Sequence, residues 1–281
     1  MPRPTLGVCS WSLRPQSIDE LIAALRRVNA TAVQLALTPL VEPHEDDWRE
    51  RWGSGCQRLR DAGITIASGM LETVGEDYTS LESIKATGGV RPDATWPATL
   101  ARAGEIAQLA EAERITLVTF HAGFIPHDAG DRSRETILDR LRVLADLFAA
   151  HGASIALETG QETAETLGVA LRELDRTSVG VNFDPANMIL YGMGDPVAAL
   201  GALAPRVRQI HIKDALPSAI VGTWGSEVPA SEGAVDWQEF FRVAEEVVPD
   251  ARFVIEREAG ESREADIAKA MRVVRAVGRI A

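Results

Sequence analysis

The chain has 281 residues, 46% of them apolar and 25% charged, the composition of a globular protein with material for a sizeable core. A net charge of −12 and only three lysines argue against a protein whose main task is gripping nucleic-acid phosphates. Two cysteines are too few for a disulfide framework, MPRPTLGVCSW lacks a signal-peptide layout, and no apolar run reaches membrane-spanning length, so a reducing, cytoplasmic setting is expected.

In chain order the first apolar run is LGVCSW (6–11), followed by IDELIAALRRV with apolar residues at helical spacing and a Ser17/Glu20 capping box before it. AVQLAL (32–37), ITIASGM (64–70) and ITLVTFH (115–121) are the next strands, with HEDDW at 44–48 read as a solvated helix start. TILDRLRVLADLFAA is a helix, and SIALE (154–158), VGVNFD (179–184), VRQIHIK (207–213) and RFVIERE (252–258) complete the strands. Asp195-Pro196 and the Asp236/Glu239 pair mark further helix starts, while GMG at 192–194 reads as a turn. The arginines fall mostly in helical segments and are taken as solvated faces.

Eight strands alternating with eight helices predict parallel pairing, because each helical crossover returns the chain to the same end of the sheet. A single-domain (β/α)8 TIM barrel over 1–281 is expected, with an open doubly wound sheet as the alternative. No G-x-G-x-x-G follows the first strand to favour the latter. The long connections 71–98 and 215–235 both follow strand C-termini and should lie over the barrel mouth, where such folds place their sites. The second is rich in turn residues and is either a cover for a ligand or an ordinary surface loop.

In a barrel the ends of neighbouring strands converge. Glu158, Asp184, His211 and Glu256 end the last four candidate strands, and four such groups around one point would repel or titrate without a cation between them. One divalent metal is therefore expected, Mn²⁺ or Mg²⁺ for an oxygen-rich donor set, with Co²⁺, Fe²⁺ and Zn²⁺ as alternatives. A metal-chelated carbonyl and adjacent hydroxyl would acidify the α C–H, and Glu158 and Glu256, on opposite sides, would carry the proton through an enediolate. His121 ends strand four and would touch substrate or a ligand, or simply pack. Lys213 shares the face of His211 and would bind substrate or pair with an acid. Asn182 shares the inward face of Asp184, Asn187 follows in the turn, and Trp11 and Gln34 end the first two strands where they would line a sugar pocket, Trp11 alternatively capping the core.

LETG, NFDPANM, QIHIKDA, SEGAVDW and VIEREAG, in that order, resemble the sugar phosphate isomerase/epimerase family of the xylose-isomerase-like TIM barrels. The resemblance covers the whole chain. It implies Glu158, Asp184, His211 and Glu256 as metal ligands, with the two glutamates also moving protons, in a family of isomerases, epimerases, dehydratases and lyases. Two positions depart from the ketose 3-epimerases: Asn187 stands where they carry a histidine, and Lys213-Asp214 where an arginine follows the metal-binding histidine.

The expected activity is thus isomerisation or epimerisation of an uncharged keto-sugar or related polyol, since few cations end strands and no phosphate loop is present. The alternative is a lyase or dehydratase acting on a 3-keto-sugar or an inosose. A DNA-repair endonuclease site would need more histidines than the five in this chain, and intact paired glutamates argue against a non-catalytic sugar-binding barrel. Neither a nucleic-acid nor a membrane partner is expected; a homo-oligomer is compatible with the sequence.

Overall fold

The computed structural model describes residues 6–42, 46–220 and 222–277; the first five residues, and His44 and Glu45 of the HEDDW run, lie outside them. In chain order the strands are β1 (Leu6–Cys9), β2 (Ala32–Ala36), β3 (Thr65–Met70), β4 (Leu117–Phe120), β5 (Ser154–Glu158), β6 (Val179–Phe183), β7 (Val207–Ile212), β8 (Asp214–Leu216), β9 (Ser226–Val228) and β10 (Arg252–Ile255). β8 and β9 form an antiparallel hairpin. The other eight run parallel, and pairing of β1 with β10 closes them into a (β/α)8 barrel, which removes the open sheet from consideration. No helix among the described residues is long and apolar enough to cross a membrane.

The helix starts follow the local chemistry. Ser17 Oγ accepts the Glu20 N–H at 3.2 Å, Asp195 Oδ1 that of Ala198 at 2.8 Å, and Asp236 Oδ1 that of Glu239 at 3.0 Å, each satisfying an N–H that the helix itself leaves free. Most arginines do lie on solvated faces. Arg134 and Arg257 do not: they are buried, Arg134 on Glu173 and the Pro126 carbonyl, Arg257 between Glu227 and Asp266.

Strand one is shorter than its apolar run. After Cys9 the chain turns into a 3₁₀ segment, Ser10–Leu13, so Trp11 does not end a strand. The turn is held by its own serines: Ser10 Oγ accepts the Ala36 N–H and Ser12 Oγ the Arg257 N–H, both at 2.9 Å. Those hydroxyls replace the backbone ladder that a longer strand would have offered β2 and β10.

The barrel interior carries a polar layer. Gln34, Ser68, Thr119, Asn182 and Gln209 come from five different strands and are all wholly buried. Ser68 Oγ donates to Gln209 Oε1 at 2.6 Å, Gln209 Nε2 to Gln34 Oε1 at 2.8 Å and to Asn182 Oδ1 at 3.1 Å, and Gln34 Nε2 to Thr119 Oγ1 at 2.7 Å. A satisfied network of this kind makes a rigid floor. Register shifts fall at Val33/Gln34 and Val181/Asn182, where a bulge re-aims a side chain.

Both long connections reach the C-terminal mouth. The second is organised by Asp214, 1% exposed, whose carboxylate accepts N–H groups of Ala215, Ser231, Gly233, Val235 and the Trp237 indole at 2.9–3.2 Å. A Cβ at position 233 would stand 2.0 Å from Asp214 Oδ1, so the loop requires glycine there.

Candidate functional site

Above the polar floor the strand ends converge. Glu158 is the last residue of β5, Asp184 and Glu256 follow β6 and β10 directly, and His211 is in β7 two residues beyond Gln209 on the same face. One ligand atom from each of the four lies within 4.8 Å of all the others. His211 Nδ1 faces Glu256 Oε2 at 3.4 Å, Asp184 Oδ2 at 3.7 Å and Glu158 Oε1 at 3.8 Å. Asp184 Oδ2 and His211 Nδ1 are buried and make no hydrogen bond among the described residues, an unusual state for two such groups. A divalent cation fits these orphaned atoms and this donor set.

The histidine is held from below. Its Nε2 is engaged by the polar floor, 2.8 Å from Gln34 Oε1 and 3.1 Å from Asn182 Nδ2, which leaves Nδ1 toward the carboxylates. Gln34 is therefore mid-strand and wholly buried beneath His211, not at a strand end lining a sugar pocket: β2 runs on to Ala36. The carboxylates of the cluster are also held. Asp184 Oδ1 caps the helix Pro185–Tyr191 through the Asn187 N–H at 2.9 Å, and Asn187 Nδ2 in turn donates to Glu158 Oε1 at 2.8 Å. Asn182 Nδ2 reaches Glu158 Oε2 at 3.3 Å. Glu256 takes the Trp11 indole N–H at 2.9 Å and the Lys213 ammonium at 2.8 Å, and Lys213 also reaches Glu258 at 2.6 Å.

The two glutamates consequently differ. Burial, with the Glu256 charge nearby, pushes the Glu158 carboxyl up to about 8. Burial would raise Glu256 as well, but Lys213 and His211 beside it hold it well below the usual range. His211 is raised well above an ordinary histidine because the surrounding carboxylates outweigh burial. Below about pH 8 the metal-free site thus holds a proton on Glu158, and His211 keeps its second proton more tightly than an ordinary histidine. Uptake of Mn²⁺ or Mg²⁺ at neutral pH is expected to release between about one and two protons, the apparent affinity rising about tenfold per pH unit for each proton displaced. Calorimetry in buffers of different ionisation enthalpy measures this, and uptake without proton release would show that the ion binds elsewhere.

Over the cluster lies a cleft of about 840 Å³, within the range of small-molecule sites. Trp11, His121, Glu158, Asn187, Lys213 and Glu256 all line it. The connection after β3 contributes Glu72, Glu76 and Tyr78, and that after β7 contributes Trp224 and Glu227. The lining is acidic: Glu72, Glu76, Glu158, Glu227, Glu256 and Glu258 face Lys213 and Arg14, and Lys213 is already engaged by two carboxylates.

Several of these residues carry no sequence signal. Glu76 sits in a turn-rich connection with nothing in its spacing to single it out, yet its Oε1 lies 3.0 Å from His121 Nδ1. Glu227 and Tyr191 are equally silent. Asp214 offers a hint, as a polar residue just past a strand end inside the QIHIKDA motif.

Residues 22–277 match the model of the xylose isomerase-like TIM barrel family. A curated relative, the 3-dehydroshikimate dehydratase of Bacillus anthracis, is 23% identical over 210 residues, which are 69% of this chain and 75% of the relative. Among solved structures, the xylose isomerase domain protein from Planctomyces limnophilus superposes with a TM-score of 0.85 at 27% identity, covering 98% of this chain and 97% of its own. The 3-keto-D-glucoside 4-epimerase from E. coli gives 0.71 at 15% identity over 98% and 100%. The chain belongs to the xylose isomerase-like TIM barrel family.

Proposed function

We propose that the protein is a metal-dependent enzyme that enolises a neutral keto-sugar or related polyol and interconverts its isomers or epimers through an enediolate. The carrying observation is the buried cluster of Glu158, Asp184, His211 and Glu256, with its orphaned Asp184 Oδ2 and His211 Nδ1. These four residues would hold Mn²⁺ or Mg²⁺, and the ion, when bound, polarises a substrate carbonyl and acidifies the C–H beside it. The chain supplies the rest. Glu158 and Glu256 come from β5 and from the end of β10, which β6 and β7 separate, so their carboxylates approach from different sides. Lys213 beside Glu256 favours its ionised form, and of the two glutamates one takes the α proton and the other returns one. Trp11 and Asn187 fix the two carboxylates by hydrogen bonds, and the acidic lining repels phosphates and carboxylates, which supports an uncharged substrate.

A second reading, dehydration by the same enolisation with loss of a hydroxyl, is favoured by the similarity to the Bacillus anthracis dehydratase. Incubating the Mn²⁺- or Mg²⁺-loaded protein in D₂O with D-fructose, D-tagatose, D-psicose, a 3-keto-glucoside and an inosose separates the two, read by mass and NMR. A product of unchanged backbone mass is the expected result, loss of water supports the second reading, and absence of α-C–H exchange with every compound overturns both. A preference of about a hundredfold for a phosphorylated ketose, roughly 2.7 kcal/mol, would overturn the neutral substrate.

A further inference from the structure

We infer that His121, oriented by Glu76, is a third proton carrier of this site and serves an oxygen of the substrate rather than a carbon, so that the reaction is an aldose–ketose type of isomerisation; this rests on the enolising reading above. His121 follows β4, and its Nδ1 lies 3.0 Å from Glu76 Oε1, which also accepts the Gly89 N–H at 2.9 Å. The other Glu76 oxygen accepts the Tyr78 hydroxyl at 3.3 Å. These contacts place a proton on Nδ1 and fix the ring plane. The rings of Tyr78 and Phe124 flank it at 6.3 and 6.2 Å, and a Cβ at Gly88 would come within 3.1 Å of His121 Cε1, so the absence of one leaves room for the imidazole.

The opposite nitrogen is unused. His121 Nε2 is buried and has no hydrogen-bond partner among the described residues, although the side chain lines the cleft beside Glu158, Asn187 and Lys213. Leaving such a group bare costs about 1–3 kcal/mol, so a bound substrate is the natural source of its partner. Burial opposes a charge on His121, yet the Glu76 carboxylate, with Glu158 and Glu162 farther off, lets it hold its proton more tightly than an ordinary histidine.

The chemistry leaves one task open. The two glutamates account for the proton on carbon, which is all that epimerisation needs. Moving a carbonyl to the neighbouring carbon also requires a proton to pass between two oxygens. As one of the glutamates takes the α proton, the C–H electron pair becomes the C=C bond of the enediol. The carbonyl oxygen keeps its π pair and receives the Nε2 proton of His121. His121 then takes the proton of the adjacent hydroxyl as the new carbonyl forms, and a glutamate returns a proton to the other carbon. No atom is gained or lost and the redox change is internal to the sugar.

The test uses the Mg²⁺-loaded full chain with D-fructose, D-tagatose and D-psicose. In His121→Ala, isomer formation is expected to fall by about 10²–10⁴-fold, and by more than deuterium exchange at the α carbon falls, and added imidazole is expected to restore part of the turnover. Glu76→Gln is expected to lower kcat with KM unchanged and Glu76→Asp to recover part of it, with Mg²⁺ uptake and thermal unfolding verifying the fold. Wild-type isomer formation in His121→Ala overturns the inference, as does an equal loss of exchange and isomer formation without imidazole rescue. If the wild type exchanges with none of the three ketoses, the enolising reading fails instead. Histidine ¹⁵N spectra then still read the pair: a charged His121 at neutral pH that becomes neutral in Glu76→Ala is expected, and an unchanged spectrum overturns the role of Glu76.

Discussion

Glu256→Gln and Glu158→Gln are each expected to lose about 10²–10⁴-fold in turnover, because glutamine keeps an oxygen at the site but cannot carry the proton. The two variants should differ in every other respect. Glu158 is held by the side-chain amides of Asn187 and Asn182, which can turn to pair with a glutamine, so the Glu158 variant should fold as well as the wild type. Glu256 is 4% exposed and bound by Lys213, itself 3% exposed. Removing one partner of such a buried pair costs up to about 3–5 kcal/mol, here moderated because Glu258 stays on the lysine. Steady-state kinetics, solvent deuterium exchange and urea unfolding separate these effects. If both variants exchange the α proton at wild-type rates, the glutamates are ligands only.

Replacing both Asp184 and His211 by alanine is expected to abolish metal uptake, measured by elemental analysis after chelation and reconstitution. The two residues supply the orphaned buried atoms of the cluster, and the glutamates that remain, Glu158 and Glu256, are already hydrogen-bonded to Asn187, Asn182, Trp11 and Lys213. Asp184 also caps a helix, and losing a cap costs about 1 kcal/mol, so Asp184→Asn is the control. It keeps the capping oxygen and removes the charge, and should weaken the ion while leaving the helix intact. Retention of a full equivalent of metal by the double variant would remove the site.

Much of the fold was legible because its causes are local. Alternating apolar runs and helical patterns, with caps at Ser17, Asp195 and Asp236, determine parallel strands joined by helices, and the observed barrel follows from that order. The convergence of Glu158, Asp184, His211 and Glu256 was legible for the same reason: each sits at or just past the end of a β-strand pattern, and barrel closure brings strand ends together. Trp11 was misplaced as a strand end because the serines that stop β1 act on backbone from β2 and β10, a long-range effect that leaves no local pattern.

What the sequence by itself determined is therefore the architecture and the identity of the clustered donors, since periodicity and strand ends are properties of short stretches. Only the tertiary structure decided their working state. Gln34 lies 177 residues from His211 and yet helps hold its Nε2 in the polar floor, and Lys213 reaches across 43 residues to make Glu256 unlike Glu158. Glu76 meets His121 over 45 residues from a connection without regular pattern. Hydrogen bonds and charges act over a few ångströms in space whatever the separation along the chain, and proton affinities follow those distances.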